Sequence, residues 1–200
     1  MHTNRSILRK ISLAAGALAL LTACGNAGGT ADPMAGHQGM SPSASTKPSA
    51  AVNDADVMFA QMMIPHHEQA VEMAGLAATR AADPEIKELA QKIKAAQDPE
   101  IETMKSWLAA WGKPAPSGGM HHEMPGIMSA DDMKKLAAAK GAAFDRQFAE
   151  LMIAHHEGAI EMARTEQAQG ADPAAKELAK AVESAQQAEI AQMRKLLERL

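Results

Sequence analysis

The sequence predicts an all-α protein, a four-helix bundle built from two antiparallel helical hairpins. Three observations carry that expectation. After residue 53, apolar side chains recur every three or four positions over long stretches, the spacing of one helix face. The stretch from Phe59 to Ala74 recurs 89 residues later, from Phe148 to Ala163, so that Met63-Ile64-Pro65-His66-His67-Glu68 becomes Met152-Ile153-Ala154-His155-His156-Glu157. Each copy is followed by an Asp-Pro pair, Asp83-Pro84 or Asp172-Pro173. Asp suits a helix N-cap and Pro the first helical position, so each pair ends one helix and begins another. Short connections of this kind join antiparallel neighbours.

The first elements are addressing rather than fold. Arg5, Arg9 and Lys10 precede an apolar run from Ile11 to Leu21, a basic head and a core of signal-peptide length. Leu21-Thr22-Ala23-Cys24 resembles a bacterial lipobox, which accounts for the single cysteine. Residues 1–23 are therefore expected to be a signal peptide and Cys24 a lipidated N-terminus on the outer face of a bacterial membrane, at the cell surface or in the periplasm. One cysteine excludes an internal disulfide framework, a Cys-rich zinc site and c-type haem attachment. Loss of the basic head leaves a mildly acidic chain, which removes a polybasic membrane patch and any nucleic-acid footprint.

Residues 24–52 are rich in Gly, Ala, Ser and Pro and cannot bury a core, so they read as a tether. The tether carries Met34, His37 and Met40, an imidazole with a thioether three residues to either side. The folded part is residues 53–200, with a first hairpin over 53–111, a linker over 112–128 and a second hairpin over 129–200. Asn53 or Asp54 opens the first helix, and Pro65 is expected to kink it. His66 falls in the middle of the apolar face, His67 on its edge and Glu68 toward solvent. The second helix starts at Pro84, with Pro99 interrupting its stripe of Ile86, Leu89, Ile93, Ile101, Met104 and Leu108. The linker holds Met120, His121, His122 and Met124, a second Met/His cluster outside any expected core. Ser129 caps a short helix, Gly141 breaks it, and a long helix over about 142–169 carries the second His pair. A fourth long helix runs from Pro173 to the end.

Folding each hairpin about its Asp-Pro turn brings Gln97 and Glu100 level with the first His pair, and Gln186 and Glu189 level with the second. If the hairpins pack about a pseudo-twofold axis, His66 and His155 approach each other, flanked by Met62 or Met63, Met73, Met152 and Met162. A lone histidine on an apolar face is more often a hydrogen-bonded core residue than a ligand. Here that bland explanation has to hold twice, with Met and Glu repeated alongside. Ligands converging from facing helices are a common way to build a metal site in a bundle. The Glu-x-x-His spacing of di-iron bundles is missing, since no Glu stands three residues before any of these histidines. The His-Glu-x-x-His zinc spacing is missing too. Imidazole with thioether favours copper, Cu(I) above all, while zinc fits through the imidazoles alone. The neighbouring Gln and Glu would then fix the histidine tautomers.

Phe-x-x-x-Met-Ile-x-His-His-Glu-x-Ala-x-Glu-Met-Ala, present twice with Leu151 where the first copy has Met62, resembles the domain-of-unknown-function 305 family over about residues 53–200. The resemblance implies a ferritin-like four-helix bundle, usually exported, with copper-associated members. It carries His66, His67, His155 and His156 over as the motif histidines, with Met63, Met73, Met152 and Met162 beside them. The function expected is a lipid-anchored metal-binding protein that sequesters or hands over copper and is not an enzyme. Two other classes stand beside it: a redox enzyme using a metal or b-type haem, and a structural module whose histidines bond only to Gln and Glu. Storage, delivery, a protein partner and pairing of two bundles as a homodimer are left open by the sequence.

Overall fold

The computed structural model describes residues 52–116 and 124–200. Those residues form five helices and no strand: α1 (Asp54–Arg80), α2 (Pro84–Ala110), α3 (Ala130–Ala138), α4 (Ala142–Gln169) and α5 (Pro173–Leu197). α1 pairs with α2 and α4 with α5, and the two hairpins meet mainly through α1 against α4. This is the duplicated, ferritin-like four-helix arrangement, with α3 as an extra short helix. No helix among the described residues is long and apolar enough to cross a membrane. The expectations for Cys24, Met34, His37, Met40, Met120, His121 and His122 lie outside the described residues.

Local signals set the helix ends. The Asn53 side chain accepts from the amides of Ala55 and Asp56, while the Asp56 carboxylate accepts from the Asn53 amide, a reciprocal capping box. Asp83 and Asp172 cap α2 and α5, each with Pro at the first helical position. Ser129 caps α3. Gly141, at φ 64, is the residue before α4, a left-handed conformation that glycine adopts without a Cβ penalty. α1 and α2 run unbroken through Pro65 and Pro99, so neither proline divides its helix.

The hairpins are also tied together by their turns, reciprocally. Asp145 of α4 accepts from the amides of Ala82 and Asp83 at the first turn, at 3.1 and 3.0 Å. Asp56 of α1 accepts from Ala171 and Asp172 at the second, at 3.0 and 2.9 Å. Asp56 and Asp145 occupy equivalent positions of the repeat, so each hairpin supplies the carboxylate that holds the other's turn. Hydrogen bonds to a charged acceptor are worth roughly 1.5–3 kcal/mol each.

The core falls into two apolar clusters. One gathers Met73, Ile86, Leu89, Ile93, Phe144, Phe148, Met152 and Met193, with Leu136 of α3. The other gathers Phe59, Met63, Ile101, Met104, Met162 and Val182. Along α1 the second cluster takes residues from 57 to 64 and the first from 70 to 81, so the His pair falls between them. On α4, His155 and His156 likewise follow Met152 of the first cluster and precede Ala159 of the second, with Ile160 beyond them packing into the first.

Candidate metal centre

All four motif histidines are fully buried. His66 and His155 meet across the α1/α4 contact with ring centres 3.7 Å apart and 39° between their planes, as the duplicated pattern predicts. His156 lies beside His155, at 6.4 Å between ring centres. His67 was expected at the edge of the apolar face, but α2 covers that edge and leaves it no exposure. Glu68 does reach solvent, where it pairs with Lys105.

Each outer histidine is held by a glutamate from the partner helix of its own hairpin. His67 Nε2 lies 2.8 Å from Glu100 Oε2, and His156 Nε2 lies 2.7 Å from Glu189 Oε2. Gln97 and Gln186 are also buried, but no hydrogen bond joins either to a histidine ring, and no donor reaches their carbonyl oxygens. The carboxylates therefore take the orienting role that the sequence shared between Gln and Glu.

His66 Nε2 donates to the Pro125 carbonyl at 3.0 Å, a partner in the linker that no helix periodicity points to. The Pro125-Gly126 segment lies directly on α4. A Cβ at Gly158 would stand 2.0 Å from the Pro125 oxygen. On the other side, Gln69 clamps the same segment by donating to the Met128 carbonyl at 3.0 Å and accepting from its amide at 2.7 Å. Gln69 and Gly158 are equivalent positions of the repeat. One makes room for the strap and the other grips it. The substitution of Gly for Gln in the second motif was the sequence signal for this. The strap also corrects the reading of Met124, which is buried rather than part of an exposed linker cluster.

An Nε2–H that donates to oxygen leaves Nδ1 as a bare lone pair. That is the state of neutral His66; the buried Nδ1 atoms of His67 and His156 likewise meet no hydrogen-bond partner, and neither ring nitrogen of His155 has one. Burial, with the charge of His67 next, pushes His66 down to about 3. Burial followed by His66 holds His155 well below its ordinary value. Both rings are neutral at physiological pH, the form in which imidazole binds a metal. Each orphaned buried nitrogen costs about 1–3 kcal/mol, which a coordinated cation would offset.

The candidate thioethers are divided between the two clusters. Met73 and Met152 lie in one and Met63 and Met162 in the other, all buried. Among the described residues, no three His, Cys, Asp or Glu side chains converge as a metal cage. A buried acid outside the pattern is Glu166, 1% exposed, where the first copy has Ala77. Burial, then a hydrogen bond with Asp56, pushes it up to about 8, so it carries a proton at neutral pH.

The family model for the domain of unknown function DUF305 matches residues 56–197. Solved structures of similar sequence agree. A DUF305 protein of Streptomyces coelicolor, described as secreted, is 34% identical over 72% of this chain and 92% of its own, with a TM-score of 0.68. A DUF305 fragment from Deinococcus radiodurans is 31% identical over 74% of this chain and 99% of its own, also at 0.68. CopM in its Cu(I)-bound form is 35% identical over 72% of this chain and 95% of its own, at 0.62. CopM is also known in Cu(II)-bound and silver-bound forms. No protein with a curated description matches the chain.

Proposed function

The chain belongs to the DUF305 family, and on that premise we propose that it is an exported, lipid-anchored protein that binds copper for sequestration or handover. The observation that carries the reading is the shared state of the buried imidazoles. His66, His67 and His156 each present Nε2 to an oxygen and have a buried Nδ1 without a partner, with His155 against His66. A carboxylate that fixes a histidine's tautomer and leaves its other nitrogen for a metal is a recurrent second-shell arrangement. His67–Glu100 and His156–Glu189 have that form.

Neutral imidazole with thioether suits Cu(I), and Met63, Met73, Met152 and Met162 are the sulfur donors that the repeated motif sets beside the His pairs. CopM, at 35% identity, binds Cu(I), which supports the same cargo here. Zinc through the imidazoles alone is the competing cargo. Cys24 would carry the lipid, and Met34, His37, Met40, Met120, His121 and His122 would collect metal around the bundle. Met124, which is buried, would stand with that group on the inner side of the strap.

Competition for Cu(I) against a chromogenic chelator tests the reading, with His66→Ala/His155→Ala beside the parent and circular dichroism to check the fold. The expected result is tight binding by the parent and at least a hundredfold weaker retention in the folded double variant. Equal retention in the two would remove the metal from the bundle interior.

A further inference from the structure

The two contacts between α1 and α4 are related by the repeat, but among the described residues only one is closed. The seam formed by the C-terminal half of α1 and the N-terminal half of α4 is covered by α3, whose Leu136 packs in one cluster with Met73, Phe144 and Phe148, with Leu76 and Leu151 alongside. The equivalent seam, from the N-terminal half of α1 and the C-terminal half of α4, stays open as a groove of about 350 Å³. Its residues have diverged from their counterparts. Met58 stands opposite Gln147 in the repeat, Met62 opposite Leu151, Thr165 opposite Leu76 and Glu166 opposite Ala77.

Three thioethers line this groove: Met58, Met62 and Met162. Met58 and Met62 are one turn apart on α1 and therefore share a face. Met58 is 58% exposed, and it is the exposed large apolar side chain of the described residues. The groove also takes in the carboxylates of Asp54 and Glu161, whose charge suits a cation, and the protonated carboxyl group of Glu166. Glu166 is almost wholly buried, and no N–H or O–H donor reaches either of its oxygens. Pro125 lines the groove as well, and its carbonyl is the acceptor of His66. The groove therefore adjoins the strap over the buried histidines.

We propose that the groove is a second soft-metal site, in which Met58, Met62 and Met162 bind Cu(I) at the surface beside the His66/His155 centre. This rests on the copper reading above and places the ion's point of arrival or departure. Thioether donors select Cu(I) over hard cations and hold it without a thiolate, which suits an ion that has to leave again. No electron or proton transfer is involved, since the ion only exchanges ligands.

The test uses the full chain and Cu(I) with a competing chelator, comparing the parent, Met58→Leu/Met62→Leu and His66→Ala/His155→Ala. Leucine conserves volume, so the first variant is expected to keep its fold, and Met162, shared with the centre, is left in place. The expected result is that the Leu variant loses one Cu(I) equivalent, or binds it at least tenfold more weakly, while the His variant keeps that equivalent. Parent-like binding by the Leu variant would overturn the groove site and leave the copper reading standing. Loss of every equivalent in the His variant would also overturn it as a site in its own right. No binding by the parent would sink both.

Discussion

The closed and open seams between α1 and α4 began as equivalent positions of one repeat and now do different work. In the closed seam, Phe144 stands where the open one has Ala55, Leu76 where it has Thr165, and Ala77 where it has Glu166. α3 then lies across it with Leu136 fully buried. The open seam keeps sulfur and carboxyl groups and leaves Met58 in solvent. Hydrophobic closure stabilises one end of the bundle, so the other can retain polar atoms in its wall. The duplication supplied both halves of one centre and one spare surface.

The largest expected effect that sharpens this contrast is at the cover. Leu136→Ala should cost about 2–5 kcal/mol, the range for a buried leucine, because α3 cannot collapse into the space. Chemical denaturation measures it directly. A cost under about 0.5 kcal/mol would mean that α3 only rests on the seam and that both ends are equally open.

Next comes the strap. Gly158→Ala places a methyl where the Pro125 carbonyl lies, so either the strap lifts or α4 shifts, at roughly 1–3 kcal/mol. Lifting the strap breaks the His66–Pro125 bond and the Gln69 clamp, so faster amide exchange at Met128 should accompany the loss. Gly75→Ala is the control, since nothing lies within 4 Å of a Cβ there. It should stabilise mid-helix α1 by about 0.5–1 kcal/mol. Slower or unchanged exchange at Met128 in Gly158→Ala would show that the strap does not sit where described.

The most gradual effect, spread over several pH units, concerns Glu166. Its folded value is raised from 4.5 to about 8, so its contribution is full below 4.5 and is lost as pH rises from there through 8. His66 has the opposite sign. Its folded value is lowered from 6.5 to about 3, so stability is full above 6.5 and is lost as pH falls toward 3. Glu166→Gln should therefore flatten the alkaline decline and leave the acid decline in place. One proton bounds each slope at about 1.4 kcal/mol per pH unit. Denaturation midpoints between pH 4 and 9 would show it, and an unchanged alkaline limb would free Glu166 from its buried, protonated role.

These contrasts also explain what could be read from the sequence. Helix ends were legible because their causes are local: Asn53, Asp83-Pro84, Ser129 and Asp172-Pro173 each act within four residues of the end they set. The meeting of His66 with His155 was legible because duplication implies an axis, and Glu100 and Glu189 because a hairpin fixes which residues stand level. The Pro125 contact and the Gln69 clamp bridge 59 residues from an irregular segment, where no periodicity speaks. His67 escaped because its angle on α1 takes no account of α2. Glu166 and Gly170 were visible only as a paired departure from Ala77 and Ala81. The Glu166 side chain lies 2.0 Å from where a Cβ on Gly170 would stand, so its placement requires a residue without a Cβ there.

The central claim is that the paired imidazoles hold the cargo, and anomalous diffraction at the copper edge from Cu(I)-loaded crystals tests it most directly. The account predicts the strongest peak at His66 and His155, beneath the Pro125 strap. A map with copper at the surface alone, and both rings bound to no metal, would contradict it.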